Sequence, residues 1–254
     1  MPGYQIKQEC IAIAGVDDLI IRSLLDRQQF SDPLGVAERL GISSATWPLF
    51  GLLWPSGLRL AACMAQRPVL AGERILELGC GLALPSLVSH RRGADITASD
   101  CHPLAGSFVL ENLGLNHLLP MKYRHGDWAE PPPQELAGEP LPPNVSGLFD
   151  LIIGSDLLYE RDVSGALAGF IGRHAMPHAE VWIVDPDRGN RPAFNRLMRL
   201  QGFELEESRL DQAASQHLPS YKGRLLTYRR PWPLKREQRS EVDPVALTIA
   251  RRLR

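Results

Sequence analysis

The sequence predicts a Rossmann-like, doubly wound α/β domain, and three observations carry that prediction. From residue 74 onward, short β-branched or apolar runs alternate with amphipathic stretches. The first run, Arg74–Leu78, leads into a glycine-rich turn, Gly79-Cys80-Gly81, at which a helix begins. Prolines open the following helical segments and glycines close them, the usual asymmetry of helix termini. The 254 residues suffice for one such domain with extensions, and 44% hydrophobic with 22% charged residues exclude disorder, collagen and a mini-fold. Lys plus Arg number 28 against 29 Asp plus Glu, a net charge of −1, so the chain as a whole is no polyanion binder.

Ahead of the core, residues 4–30 alternate weakly and predict a β-hairpin turning near residues 15–18. Ser56 is placed to cap a helix over residues 57–67 that Pro68 stops. After the strand Arg74–Leu78, Pro85 opens a helix that Gly93 closes, and residues 95–99 form a second strand. Pro103 starts the next helix, whose Leu104, Phe108 and Leu113 fall near one face. Residues 121–125 and 149–154 read as third and fourth strands. Between them, residues 131–143 hold six prolines, too many for a crossover helix, and predict an extended surface loop. Asp162 is placed to cap a helix through Ile171, residues 180–184 make a fifth strand, and Asn190 is placed to cap a helix ending at Gly202. Residues 203–210 and 224–228 complete the sheet. The predicted organisation is an N-terminal β/α extension (1–45), a core (46–230) and a basic tail (231–254). From Arg229 to the end, eight basic residues face three acidic ones, and with the core ending near Tyr228 they fall outside the fold.

Four cysteines, at 10, 63, 80 and 101, form no CxxC pair, which predicts a reduced, cytoplasmic protein without a metal site. The first ten residues lack the basic and apolar regions of a secretory signal. Residues 41–65 carry one charge, Arg59, but Pro48, Gly51, Pro55 and Gly57 interrupt the run, which therefore predicts a buried, turn-broken segment and no membrane span.

Chemistry concentrates where strands end. Glycines in Glu77-Leu78-Gly79-Cys80-Gly81 let a backbone approach a ligand and leave amide N–H groups free at a helix start. Nineteen residues beyond Gly81, Asp100 closes the second strand, where a carboxylate accepts hydrogen bonds from ribose hydroxyls. A dinucleotide fingerprint wants a third glycine where Leu84 stands, and Pro85 offers no N–H; a sulfonium nucleoside has no pyrophosphate, and Glu77 suits its amino group and cationic sulfur. Gly126-Asp127-Trp128 ends the third strand, with Asp127 placed to accept from an adenine amino group and Trp128 to wall the ring. The fourth strand runs into Gly154-Ser155-Asp156-Leu157-Leu158-Tyr159, a carboxylate and a phenol at the mouth of the site. Asp185-Pro186-Asp187-Arg188 ends the fifth strand, where Arg188 stands either in a plain turn or as a reader of an acidic acceptor. Cys80, Cys101, His102 and Trp47 read as packing residues.

In this order, and with Leu53-Trp54-Pro55-Ser56-Gly57 upstream, these motifs resemble the seven-stranded S-adenosylmethionine-dependent methyltransferases. More narrowly, they are similar to the Asp-x-x-Tyr group, methyltransferase family sixteen, which holds protein lysine methyltransferases. The resemblance spans about residues 45–230, with Ala83 as the third small residue of the glycine motif. It implies that Glu77, Gly79, Gly81, Asp100, Asp127, Trp128 and Ser155 hold S-adenosylmethionine, that Trp54 packs beside it, and that Asp156 and Tyr159 shape the acceptor site. It also implies a last strand antiparallel in a hairpin with residues 203–210. The acceptor expected is a nitrogen of a protein, lysine first, with no nucleic-acid partner and no membrane. Three alternatives remain open at this point: a small-molecule amine or heterocycle (nicotinamide-like) N-methyltransferase, a non-catalytic cofactor- or partner-binding module, and a dinucleotide oxidoreductase.

Overall fold

In the computed structural model, residues 4–29, 32, 35–128, 142–159, 164–214 and 220–231 are described. The chain opens with two antiparallel strands, Ile6–Ile11 (β1) and Leu19–Leu24 (β2), the predicted hairpin. β1 is largely exposed, whereas β2 buries Leu19, Ile21 and Leu24 completely or nearly so. Each such side chain taken from water contributes about 1.5–3 kcal/mol, so the hairpin is bound to the body chiefly through β2. A short helix, Val36–Arg39 (α1), a 3-10 turn, Trp47–Gly51, and the helix Pro55–Gln66 (α2) follow. Among the described residues no helix is long and apolar enough to cross a membrane.

The Rossmann-like core then unfolds in the order Arg74–Leu78 (β3), Leu84–Arg91 (α3), Asp95–Asp100 (β4), Ala105–Leu115 (α4), Lys122–His125 (β5) and Phe149–Ser155 (β6). It continues through Ala166–His174 (α5), Ala175–Asp185 (β7), Arg191–Leu200 (α6), Glu204–Arg209 (β8) and Arg224–Arg229 (β9). Seven of the strands form one sheet in the order β5-β4-β3-β6-β7-β9-β8. The first five are mutually parallel, and β9 runs antiparallel to both β7 and β8, as the C-terminal hairpin predicts. The central strands read as continuous apolar runs because helices cover both faces. β8, at the edge, exposes all six residues and carries Glu204, Glu206, Glu207 and Arg209, charges that discourage pairing with another chain.

Several boundaries differ from the sequence reading for identifiable reasons. Ser56 does not cap α2: the helix starts one residue earlier at Pro55, and the Ser56 hydroxyl is buried against the Tyr221 hydroxyl at 3.0 Å. Asn190 precedes α6 but makes no cap bond, since its amide donates instead to the carbonyl of Leu158 at 2.9 Å. α5 begins at Ala166 after a left-handed Gly165, four residues beyond the expected cap Asp162, which lies outside the described residues. β7 begins at Ala175 rather than 180 because α5 passes into it directly, with a register shift against β6 between Phe149 and Leu151. Arg229 and Arg230 belong to the core and not to a tail. Arg229 pairs with Glu180 and Glu206 at 2.5 and 2.6 Å, and Arg230 lies over the Phe203 ring and donates to backbone carbonyls of Gly172, Ala175 and Met176. The proline-rich residues 131–141 and the remaining basic residues from 235 onward lie outside the described residues.

The hairpin is tied to α4 by polar contacts as well as by packing. Asn112, fully buried, accepts from the Arg22 N–H at 2.8 Å and donates to its carbonyl at 3.3 Å, while Asn116 does the same for Ile20. Each amide thus stands in for the neighbouring strand that the edge of β2 lacks. Asn112→Ala removes both partners of Arg22 and is expected to lower the unfolding free energy by about 1–3 kcal/mol. Urea denaturation checks this, and an unchanged midpoint contradicts the role.

Candidate functional site

Parallel register brings the carboxyl ends of five strands to one edge, where ligands of open α/β sheets bind. Leu78 lies beside Gly154, Asp100 beside His125, and Ser155 beside Val184. A cavity of about 730 Å³ opens at this edge, within the range of small-molecule and cofactor sites. Trp54, Gly79, Gly81, Asp100, Asp127, Trp128, Ser155, Asp156 and Tyr159 all border it.

The glycine turn is built tightly. Gly79 and Gly81 have φ of 55° and 52°, and Ala83 follows at 59°. A Cβ on Gly81 would stand 2.8 Å from the Phe50 carbonyl oxygen, and one on Gly79 would stand 2.7 Å from the Leu157 side chain. Both positions favour glycine for their conformation, and Gly81 needs it for space as well, because the Phe50 carbonyl is backbone and cannot move aside cheaply. Asp100, 6% exposed, locks the turn: its Oδ2 accepts from Gly81 N–H at 2.9 Å and its Oδ1 from His102 N–H at 2.8 Å. Burial raises its carboxyl above the ordinary range, while the His102 and Gly81 amides work in the other direction.

Glu77 behaves differently from the expectation that it meets the ligand. It is 1% exposed and not among the residues bordering the cavity. Its carboxyl sits under the start of α3, where Oε2 accepts from the Ser86 N–H at 3.0 Å and from the Ser86 hydroxyl. Burial pushes it up to about 8, with the Ser86 bonds opposing and the charge of Asp100 adding to the rise. Its role is to anchor α3 on β3.

Trp54 donates from its indole nitrogen to the Leu49 carbonyl at 2.8 Å and carries the Arg27 guanidinium over its ring at 5.1 Å. Gly57, at the start of α2, would place a Cβ 3.6 Å from the Ser155 hydroxyl, so the Leu53-Trp54-Pro55-Ser56-Gly57 segment abuts the end of β6. His102 stacks on Phe50 at 3.8 Å and meets the edge of Trp47 at 4.9 Å. Burial lowers it to about 3, which leaves it a neutral packing group at physiological pH. Trp47 is buried in the same cluster.

Also on the cavity wall, Asp156 leaves β6 with φ of 59° and its N–H on the Val184 carbonyl. Its carboxylate is ion-paired with Arg188, through Nε at 2.7 Å and Nη2 at 2.5 Å. Tyr159, 45% exposed, closes the following 3-10 turn. Arg188 does stand in a turn, its N–H on Asp185 Oδ2 at 2.9 Å; its pair with Asp156 was not legible in sequence, because it joins loops 32 residues apart. Arg27, Leu40, Ile42 and Thr46 also border the cavity, so the N-terminal region contributes wall that no local motif announces.

The sheet order and the edge-placed cavity define the class I, seven-stranded methyltransferase fold. The 16S rRNA N2 G1207 methyltransferase of Thermus thermophilus, solved with AdoMet and guanosine, shares it with a TM-score of 0.52 at 16% identity over 91% of this chain and 52% of that one. No family model matches the chain. Among curated proteins, its relatives include the electron transfer flavoprotein beta subunit lysine methyltransferases of Xenopus laevis (26% identical over 63% of this chain and 63% of that one) and Mus musculus (28% over 70% and 66%). Another is the histone-arginine methyltransferase METTL23 of Xenopus laevis, 31% identical over 51% of this chain and 54% of that one. The chain spans a little under two thirds of the length of the flavoprotein-modifying relatives. Its curated homologues are thus protein methyltransferases, with lysine enzymes prominent among them.

The buried Glu77 gives a pH signature. An acid whose folded value lies above its unfolded one contributes fully below about 4.5 and loses that contribution as pH rises toward about 8. Glu77→Gln should therefore flatten the decline of stability between these pH values, by up to ~1.4 kcal/mol per pH unit. Urea midpoints compared across pH check it, and parallel profiles for both proteins contradict it.

Proposed function

We propose that the protein is an S-adenosylmethionine-dependent N-methyltransferase that modifies a lysine side chain of a protein. The observation that carries this reading is that one cavity is bordered both by the Gly79–Gly81 turn and Asp100 and by Asp156 and Tyr159. The lysine methyltransferases among its relatives support the acceptor.

The donor set suits an adenosyl ligand. Asp100 offers carboxylate lone pairs to ribose hydroxyls, Asp127 stands at the end of β5 for an exocyclic amino group, and Trp54 and Trp128 supply aromatic walls. Ser155 and the glycine turn border the same cavity. Bound there, S-adenosylmethionine supplies an electrophilic methyl for in-line displacement. The chain's own residues have the remaining tasks of alignment, water exclusion and selection of the neutral amine. A lysine ammonium, with a free value near ~10.4, has no lone pair and must lose a proton first. Asp156 accepts an N–H of the amine and fixes its direction, and Tyr159 with Trp54 narrows the mouth around the aliphatic stem. A small amine as acceptor and a silent binding module are the competing readings.

Incubation with methyl-labelled S-adenosylmethionine and a lysate lacking the native enzyme separates them. Label in a protein that hydrolyses to methyllysine is expected; methylarginine, label confined to small molecules, or no transfer contradicts the proposal. Asp100→Ala should weaken cofactor binding by ~10- to 100-fold, the worth of one or two hydrogen bonds to a charged group, and calorimetry showing native affinity would count against its assignment. Asp156→Ala should abolish transfer while sparing that affinity, and retained transfer removes it from the acceptor site.

A further inference from the structure

The Asp156–Arg188 ion pair poses a chemical question that the proposed reaction sharpens. An isolated carboxylate at the acceptor end would bind lysine best as its ammonium, the form that cannot react. The carboxylate here is not isolated. Arg188 holds it through Nε and Nη2, and both contacts fall on Oδ1. Asp156 is 10% exposed on its side chain and Arg188 37%, and both border the cavity.

The loop that carries Arg188 is fastened from three directions. The Arg188 N–H donates to Asp185 Oδ2 at 2.9 Å. Asp187, with φ of 58°, is held by Arg191 of α6 at 2.7 Å, Arg209 at the end of β8 at 3.0 Å and Arg224 at the start of β9 at 2.7 Å. Such an anchored turn presents a guanidinium in one place rather than leaving it to solvent. Around the pair stand Asp185 at the end of β7, Tyr221 ahead of β9 with Arg59 of α2 over its ring, and Tyr159 on the turn after β6. Arg27 and Asp127 border other parts of the cavity. Of these groups, Arg188 alone forms an ion pair with Asp156 among the described residues.

We propose that Arg188 is a positioning residue acting through Asp156: it cancels the carboxylate's charge and orients it, so that the acceptor end selects a neutral amine. The inference rests on the lysine reading above. In the balanced step, the lysine ammonium gives one proton to water as it enters. The amine lone pair then forms the N–C bond while the C–S bond breaks, and that bonding pair stays on sulfur as a neutral thioether. The methylated nitrogen leaves as an ammonium. Arg188 contributes before the transfer, by disfavouring a second positive charge next to its own. A planar guanidinium with its donors in a fixed fork suits this task, since it holds the carboxylate in one orientation.

The test compares the pH dependence of single-turnover transfer, from labelled S-adenosylmethionine into the protein band that the native enzyme labels in lysate, for native protein, Arg188→Gln, Arg188→Met and Arg188→Lys. Calorimetry with S-adenosylhomocysteine shows that each variant is folded, and Met, which keeps the packing stem, stands in if Gln is not. In the native enzyme the rate should reach its plateau well below the free-lysine value of ~10.4. The uncharged variants should move that midpoint up by about one pH unit or more, giving a roughly tenfold loss near pH ~7.5 that vanishes at high pH, with a lower KM for the acceptor. Arg188→Lys should keep most of the native profile. A loss equal at every pH, or a Lys variant indistinguishable from Gln, overturns the inference with the lysine reading intact. A native enzyme that labels no protein overturns the reading itself, and the inference with it.

Discussion

The carboxylate of Asp100 joins the ends of β3 and β4, beside the backbone bond from Cys80 N–H to the Ser99 carbonyl at 2.9 Å. By accepting from Gly81 and His102 together, it fixes the glycine turn after β3 against the turn after β4, and those two turns form the floor of the cavity. Such a buried, doubly bonded carboxylate is costly to leave unpaired, so the geometry of both turns is over-determined. The left-handed glycines, the close approach of Phe50 and the start of α3, which Glu77 holds through Ser86, adjoin these two turns.

A second layer of support comes from outside the sheet. The β1–β2 hairpin, the 3-10 turn at Trp47 and the helix α2 pack into the same apolar cluster as Cys80, Leu82 and Ala83. The Trp47–Phe50–His102 stack therefore connects the N-terminal region to the loop after Asp100. On the far side, Ser56 and Tyr221 link α2 to the segment before β9. The cavity is walled by residues from both regions, so its shape depends on packing between parts of the chain far apart in sequence.

That distribution explains what was legible beforehand. Strands such as Arg74–Leu78 were readable because burial on both faces leaves an unmistakable apolar run, whereas the closing antiparallel pair, whose β8 is exposed along its whole length, was expected from the family resemblance. The glycine turn, Asp100, Asp127, Trp128 and Asp156 were readable as a set because strand ends in a parallel sheet share an edge. Glu77 was expected at the ligand, but its carboxyl is taken by Ser86 at the start of α3, a partner that sequence spacing does not show. The expected caps Ser56 and Asn190 found better partners in tertiary contacts with Tyr221 and Leu158. Arg229 and Arg230 looked like tail charges because their carbonyl and carboxylate partners come from β7, β8 and α5. The Asp156–Arg188 pair, likewise, is a property of two loops meeting.

On the proposed reading a single cavity serves both cofactor and acceptor. A bisubstrate ligand, in which an aminoalkyl chain is attached through the sulfur position of S-adenosylhomocysteine, measures that directly by calorimetry. The account predicts tighter binding than S-adenosylhomocysteine alone, with the gain lost in Asp156→Asn and the parent affinity kept. Equal affinity of the two ligands for the native protein would contradict it.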